Sequence, residues 1–98
     1  MITKEILNTY NDLKQKYPEP VLLFRRNDFY YAFYDDATKT ADACHIAKEQ
    51  EETETGKAID CASFSFSMLD CYLPKLIRSG NRVAICASQN KNTQGRNV

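Results

Sequence analysis

Val21-Leu22-Leu23-Phe24-Arg25-Arg26-Asn27-Asp28-Phe29-Tyr30-Tyr31-Ala32-Phe33-Tyr34 is the stretch that decides the fold. Its first four residues form a continuous apolar run, the pattern of a strand buried on both faces. Phe29 to Tyr34 is an aromatic run, and rings favour the pleated surface of a strand. Between the two runs, Asn27 and Asp28 supply turn chemistry, because both tolerate left-handed backbone. The stretch predicts a β-hairpin with Arg25 and Arg26 at its tip.

Upstream, Ile2, Ile6, Leu7, Tyr10, Leu13 and Tyr17 recur at helical spacing, with Lys4, Glu5, Asn11, Lys14 and Gln15 on the other side. Thr3 suits the N-cap. Pro18-Glu19-Pro20 ends the helix by removing backbone donors and clashing with a further turn.

Downstream, Asp35 and Asp36 suit the positive N-terminus of a second helix. Its inner face carries Ala37, Ala41 and Cys44, small residues that imply close packing on a sheet. From Ala47 to Lys57 the chain is acidic, and Thr55-Gly56 marks a turn in an exposed hairpin whose returning strand is Ala58 to Phe64. Ser67 and Asp70 read as a helix start. Leu69, Tyr72, Leu73, Leu76 and Ile77 make its apolar stripe, and Ser79-Gly80 ends it. Pro74 conflicts with this helix and costs roughly 3 kcal/mol unless the helix starts late or kinks. Arg82 to Ala87 reads as a final buried strand. The order of elements implies one mixed sheet flanked by about three helices, an α/β (α+β) domain over residues 1–88, with a polar, flexible tail over 89–98.

The totals agree with a single domain: 98 residues, 43% hydrophobic, with six Tyr and five Phe. The N-terminal segment lacks the apolar core of a signal peptide, and no run approaches the ~20 apolar residues of a membrane span. A soluble, cytoplasmic protein with no membrane partner is the expectation. Net charge is zero but unevenly spread. Residues 1–34 carry net +1, residues 35–60 net −5 and residues 61–98 net +4. Cys44, Cys61, Cys71 and Cys86 form no close C-x-x-C pair, and the single histidine is His45. Metal spacing is therefore absent, and buried thiols packing as small apolar groups are the better reading.

Three segments together resemble the N-terminal mismatch-recognition domain of the MutS DNA-repair family. Tyr10-Asn11-Asp12-Leu13-Lys14 to Tyr17-Pro18 is similar to the family's entry helix, Y-x-x-x-K-x-x-Y-P. Leu22 to Tyr30, continued by Phe33 and Asp36-Ala37, is similar to L-F-F-R-M-G-D-F-Y-E-x-F. Asp70 to Gly80 with Val83-Ala84-Ile85-Cys86 is similar to D-x-Y-L-x-K-L-V-x-x-G-x-x-V-A-I-C-E-Q. The resemblance implies a mixed sheet surrounded by helices and a DNA-binding rather than catalytic role. It also implies that Phe29 wedges into the duplex from the minor groove at a mispair. An inserted ring costs a few kcal/mol of unstacking, least where pairing is already broken.

Several positions depart from the family pattern. Tyr31 stands where the family has a glutamate that hydrogen-bonds the mispaired base, and a phenol cannot supply a carboxylate. Asn27 replaces the turn glycine, and Arg26 replaces a methionine with a side chain able to contact a phosphate. Ser65 and Ser67 occupy the family's proline and histidine positions. The family's connector, lever, clamp and ATPase domains are not among these residues. With glycines only at 56, 80 and 95, the sequence contains no phosphate-binding P-loop. Met1 near the start of the domain and the polar tail suggest a complete short gene product.

The reading is a non-enzymatic DNA-binding module using Phe29, Tyr31, Arg25, Arg26 and Asn27. Its expected partner is mismatched or distorted double-stranded DNA, with no cofactor, metal or nucleotide. The alternative is a protein-interaction module on the same fold, motivated by the zero net charge, the missing glutamate and the missing clamp. A nuclease is a third class, but Asp60 and Lys57 lack the Glu-x-Lys spacing and carboxylate cluster that metal-dependent cleavage needs.

Overall fold

The computed structural model describes residues 2–87. The expected tail over residues 89–98 lies outside the described residues. Three α-helices, one short 3-10 turn and five strands follow in chain order. They are α1 (Lys4–Lys16), β1 (Val21–Arg26), β2 (Phe29–Phe33), α2 (Asp35–Cys44), β3 (Glu49–Glu52), β4 (Ala58–Ser65), the 3-10 turn Phe66–Met68, α3 (Leu69–Arg78) and β5 (Val83–Ala87). The strands form one sheet in the order β3-β4-β2-β1-β5. Only the β1–β5 pairing is parallel, so the sheet is mixed, as the sequence implies.

Alternation along the strands sends two sets of side chains to opposite faces. Leu22, Phe24, Phe33, Ile59 and Cys61 pack with Tyr10 of α1. Val21, Leu23, Tyr30, Ala32 and Phe64 pack with Cys44 of α2 and Leu76 of α3. The result is a sheet with α1 on one side and α2 and α3 on the other. Ala37 and Ala41 meet Ala62 on that second side, and their small side chains let α2 lie close to the strands.

Local signals account for most element ends. The Thr3 side chain accepts from the Ile6 N–H and caps α1. His45 takes a left-handed conformation, φ 59°, and ends α2. Gly80, φ 90°, follows α3.

Five expectations need correction. Ile2 is not on the α1 stripe: it precedes the helix, is buried, and bridges to Thr53. Tyr17 caps α1 and is 58% exposed, because Pro18 ends the helix before its ring can turn inward. The Ser65 side chain accepts from the Ser67 N–H and caps the 3-10 turn, whereas α3 follows Met68 with no side-chain cap, so neither Ser67 nor Asp70 caps it. Pro74 remains inside α3, and Ile77 on its supposed inner stripe is 57% exposed. β5 lies at the sheet edge rather than in its centre, leaving Ile85 47% exposed. An edge strand has a neighbour on one side only, which the apolar run Val83 to Cys86 does not reveal.

Candidate functional site

The β1–β2 hairpin presents its tip as an uncovered end of the sheet. Arg26 pairs with Phe29, Arg25 with Tyr30 and Phe24 with Tyr31, so the loop is Asn27-Asp28 alone. Asn27 has φ 57° and Asp28 does not have a positive φ, so the loop is not a I′ turn, which needs positive φ at both central residues. Positive φ favours glycine, and asparagine is among the few other residues that adopt it. The two arginines are thus the last two strand residues rather than the loop itself.

Residues directly opposite on neighbouring strands point to the same face. Phe29 pairs with Ser65 and Tyr31 with Ser63. Arg26, Phe29 and Ser65 therefore form one row across three strands, on the side that carries α1. Tyr31 and Ser63 form the next row inward. Phe29 is 44% exposed, whereas Tyr31 is half-buried and packs against the α1-side core. The rings form a ladder along β2. Phe29 and Tyr31 have centroids 6.4 Å apart, and Tyr31 stacks on Phe33 at 6.3 Å with planes 11° apart.

Arg25 points to the opposite face. Its guanidinium lies over the Phe66 ring, 4.5 Å from the centroid, and its Nε–H donates to the Asn27 carbonyl at 3.2 Å. The Phe66 N–H donates to the Asp28 carbonyl at 2.8 Å. Of the five residues expected at the site, Phe29, Tyr31 and Arg26 share a face, Asn27 makes the turn, and Arg25 stands behind it. Phe66 was missed. The only trace of it in the sequence is an aromatic two residues beyond Phe64, the expected end of the strand.

The ladder is anchored by a buried polar network. Phe33 meets Tyr10 edge-to-face at 5.2 Å. The Tyr10 hydroxyl reaches the Asp36 carboxylate at 2.5 Å and the Phe33 carbonyl at 2.9 Å. Asp36, 2% exposed, also accepts the Leu22 N–H and pairs with Lys14 at 3.1 Å. Every acceptor on this buried carboxylate is engaged, which is what makes its burial tolerable. Burial first, then the hydrogen bond and charge of Asp36, push the Tyr10 hydroxyl far above the ordinary tyrosine range. The base of the hairpin is therefore fixed while its tip stays accessible.

Other chemistry finds less support. Asp60 accepts from the Gln50 side chain and lies 3.8 Å from Lys48. Among the described residues no group of three His, Cys, Asp or Glu side chains could hold a metal ion. Cys44 and Cys61 are buried, Cys86 is half-buried and Cys71 is exposed, so the expectation of four buried thiols fails at Cys71. Burial pushes the Cys61 thiol up to about 12. An apolar groove of about 220 Å³ lies between α1 and β5, with Leu13 and Tyr17 on one wall and Ala84, Ile85 and Cys86 on the other. No helix among the described residues is long and apolar enough to cross a membrane.

Comparison with known proteins finds a family model, MutS domain I, matching residues 4–98. The DNA mismatch repair protein MutS of Parabacteroides distasonis is 38% identical over 86 residues, which is 88% of this chain and 10% of that protein. The MutS proteins of Bacteroides fragilis and Cytophaga hutchinsonii are 43% and 44% identical over 81 and 80 residues, covering 83% and 82% of this chain and 9% of each relative. The chain spans about a tenth of the length of the curated relatives it matches.

Proposed function

The chain belongs to the MutS domain I family, and from that membership we propose that it is a DNA-binding module which engages mismatched or distorted duplex through Phe29. The observation that carries this reading is the position of Phe29. It is a large ring, 44% exposed, at the tip of a hairpin whose base is fixed by the Tyr10–Asp36 network. A buried core aromatic would have no such exposure.

Inserted at a base step, the ring trades unstacking of the bases for new stacking on itself, a trade that improves where pairing is already broken. Arg26, in the same row, reaches the phosphate backbone and sets register. Tyr31 offers one hydroxyl behind the wedge, able to donate or accept a single hydrogen bond. This mode of binding needs no nucleotide, metal or cofactor, and it involves no bond-making chemistry. Fluorescence anisotropy with labelled duplexes tests it. Salt-sensitive binding supports the reading, and no binding at low salt to matched, mispaired or branched DNA overturns it.

A second reading, a protein-interaction module, draws on the edge strand β5. Its residues Val83 to Ala87 carry no charge, and Ala84, Ile85 and Cys86 among them line the apolar groove, whereas the opposite edge, β3, reads Glu49-Gln50-Glu51-Glu52. Charged edges resist pairing with other chains and uncharged ones do not. Size-exclusion chromatography with a pull-down tests it, and a monomer that retrieves nothing counts against it.

A further inference from the structure

We infer that Phe66 is a positioning residue for DNA contact, acting through Arg25 on the face of the hairpin opposite Phe29. The inference rests on the DNA-binding reading above. Arg25 is one of two arginines at the tip, and the strand register sends it away from Arg26 and Phe29. Left alone, a long guanidinium side chain samples many rotamers and loses that freedom on binding. Here two contacts restrict it. The Phe66 ring lies beneath the guanidinium at 4.5 Å, and the Asn27 carbonyl holds Nε at 3.2 Å. With Nε engaged by the Asn27 carbonyl, Nη1 and Nη2 are the donors left to take a phosphate bidentately.

Phe66 itself is tied to the tip. Its N–H donates to the Asp28 carbonyl at 2.8 Å, linking the end of β4 to the hairpin loop. Its ring is 43% exposed, too open for a core residue, and its described partner is the arginine. The hairpin thus carries a cation on each face of the sheet end, Arg26 beside the wedge and Arg25 on the Phe66 platform. A pre-set Arg25 lowers the ordering cost of the second contact.

Binding titrations by anisotropy with a mispaired duplex test this, using the full chain as wild type, F66Y, F66L, R25Q and the F66L/R25Q double variant. F66L keeps apolar bulk and removes the ring face, and F66Y keeps the ring. Thermal unfolding of each variant confirms that it is folded at the titration temperature. F66L should weaken binding about two- to fivefold, the worth of an exposed cation–π contact. F66Y should bind as the wild type does, and F66L should have no further effect once Arg25 is Gln. Equal binding by F66L and wild type, failure of F66Y to restore binding, or the same loss in both backgrounds overturns the inference. Absence of DNA binding by the wild type overturns instead the DNA-binding reading on which it rests.

Discussion

Phe29 and Tyr31 project from the same face of β2 with ring centroids 6.4 Å apart, one at the exposed tip and the other half-buried behind it. Because Tyr31 also stacks on Phe33, the tip ring is the free end of a ladder that runs into the core. Substitution at successive rungs should therefore shift from affecting binding to affecting stability.

Tyr31→Glu places a carboxylate where the family pattern has one. It removes the stack on Phe33, so the variant should lose about 0.5–1.5 kcal/mol of stability. Its ratio of affinities for mispaired over matched duplex should rise, since a carboxylate accepts hydrogen bonds that a phenol meets only in part. Urea unfolding and paired titrations read the two effects separately. A variant with unchanged discrimination denies Tyr31 a place in recognition.

Arg26→Gln should weaken binding to every duplex by a similar factor. If Arg26 neutralises one phosphate, the slope of log affinity against log salt should become shallower by about 0.9. A slope identical to that of the wild type shows that Arg26 makes no such contact.

The Asp36 network makes a stability prediction independent of DNA. Asp36→Ala leaves the buried Leu22 N–H without its acceptor, while Lys14, part-exposed, keeps the Pro20 carbonyl; the orphaned donor should cost about 1–3 kcal/mol. Tyr10→Phe removes one hydrogen bond to a charged group and should cost about 1.5–3 kcal/mol. The pH dependence follows from the raised Tyr10 hydroxyl. In the unfolded chain Tyr10 ionises near pH ~10, whereas the folded protein holds the proton to higher pH. Its contribution is whole below that pH and is lost as pH rises beyond it. Wild type should lose more stability than Tyr10→Phe between neutral pH and pH above 10, measured by urea unfolding at each pH.

Thiol reactivity should follow burial. Cys71, exposed on α3, should react first with iodoacetamide. Cys61, its thiol pushed up to about 12 by burial, should stay unmodified until the protein unfolds. Peptide mass spectrometry across a time course decides this, and early labelling of Cys61 contradicts the packing of β4 against β3 and β2.

Much of the fold was legible in the sequence because period and punctuation agreed. The apolar run at Val21, the aromatic run at Phe29 and the Asn27-Asp28 turn specify the hairpin, and Thr3 and Pro18 bracket α1. What was hidden depends on neighbours distant in sequence. The run at Val83 looks buried, but only the strand order makes it an edge. Arg25 and Arg26 look like a pair, yet alternation along β1 sends them to opposite faces. Phe66 gave no helical or strand period because it sits in a single 3-10 turn, and its role lies in a contact with Arg25, 41 positions earlier. The wedge position itself came from resemblance, since nothing local distinguishes Phe29 from a core aromatic.

On the reading proposed above, Phe29 recognises distorted duplex by insertion. The most direct measurement compares wild type and Phe29→Ala on a mispaired duplex and its matched counterpart, by anisotropy at fixed salt. Loss of a stacking ring should weaken mispair binding by about 1–3 kcal/mol while leaving matched-duplex binding nearly unchanged. Phe29 is exposed, so the variant should remain folded, which circular dichroism checks. Equal affinity of both proteins for the mispaired duplex, or an equal loss on both duplexes, contradicts the claim.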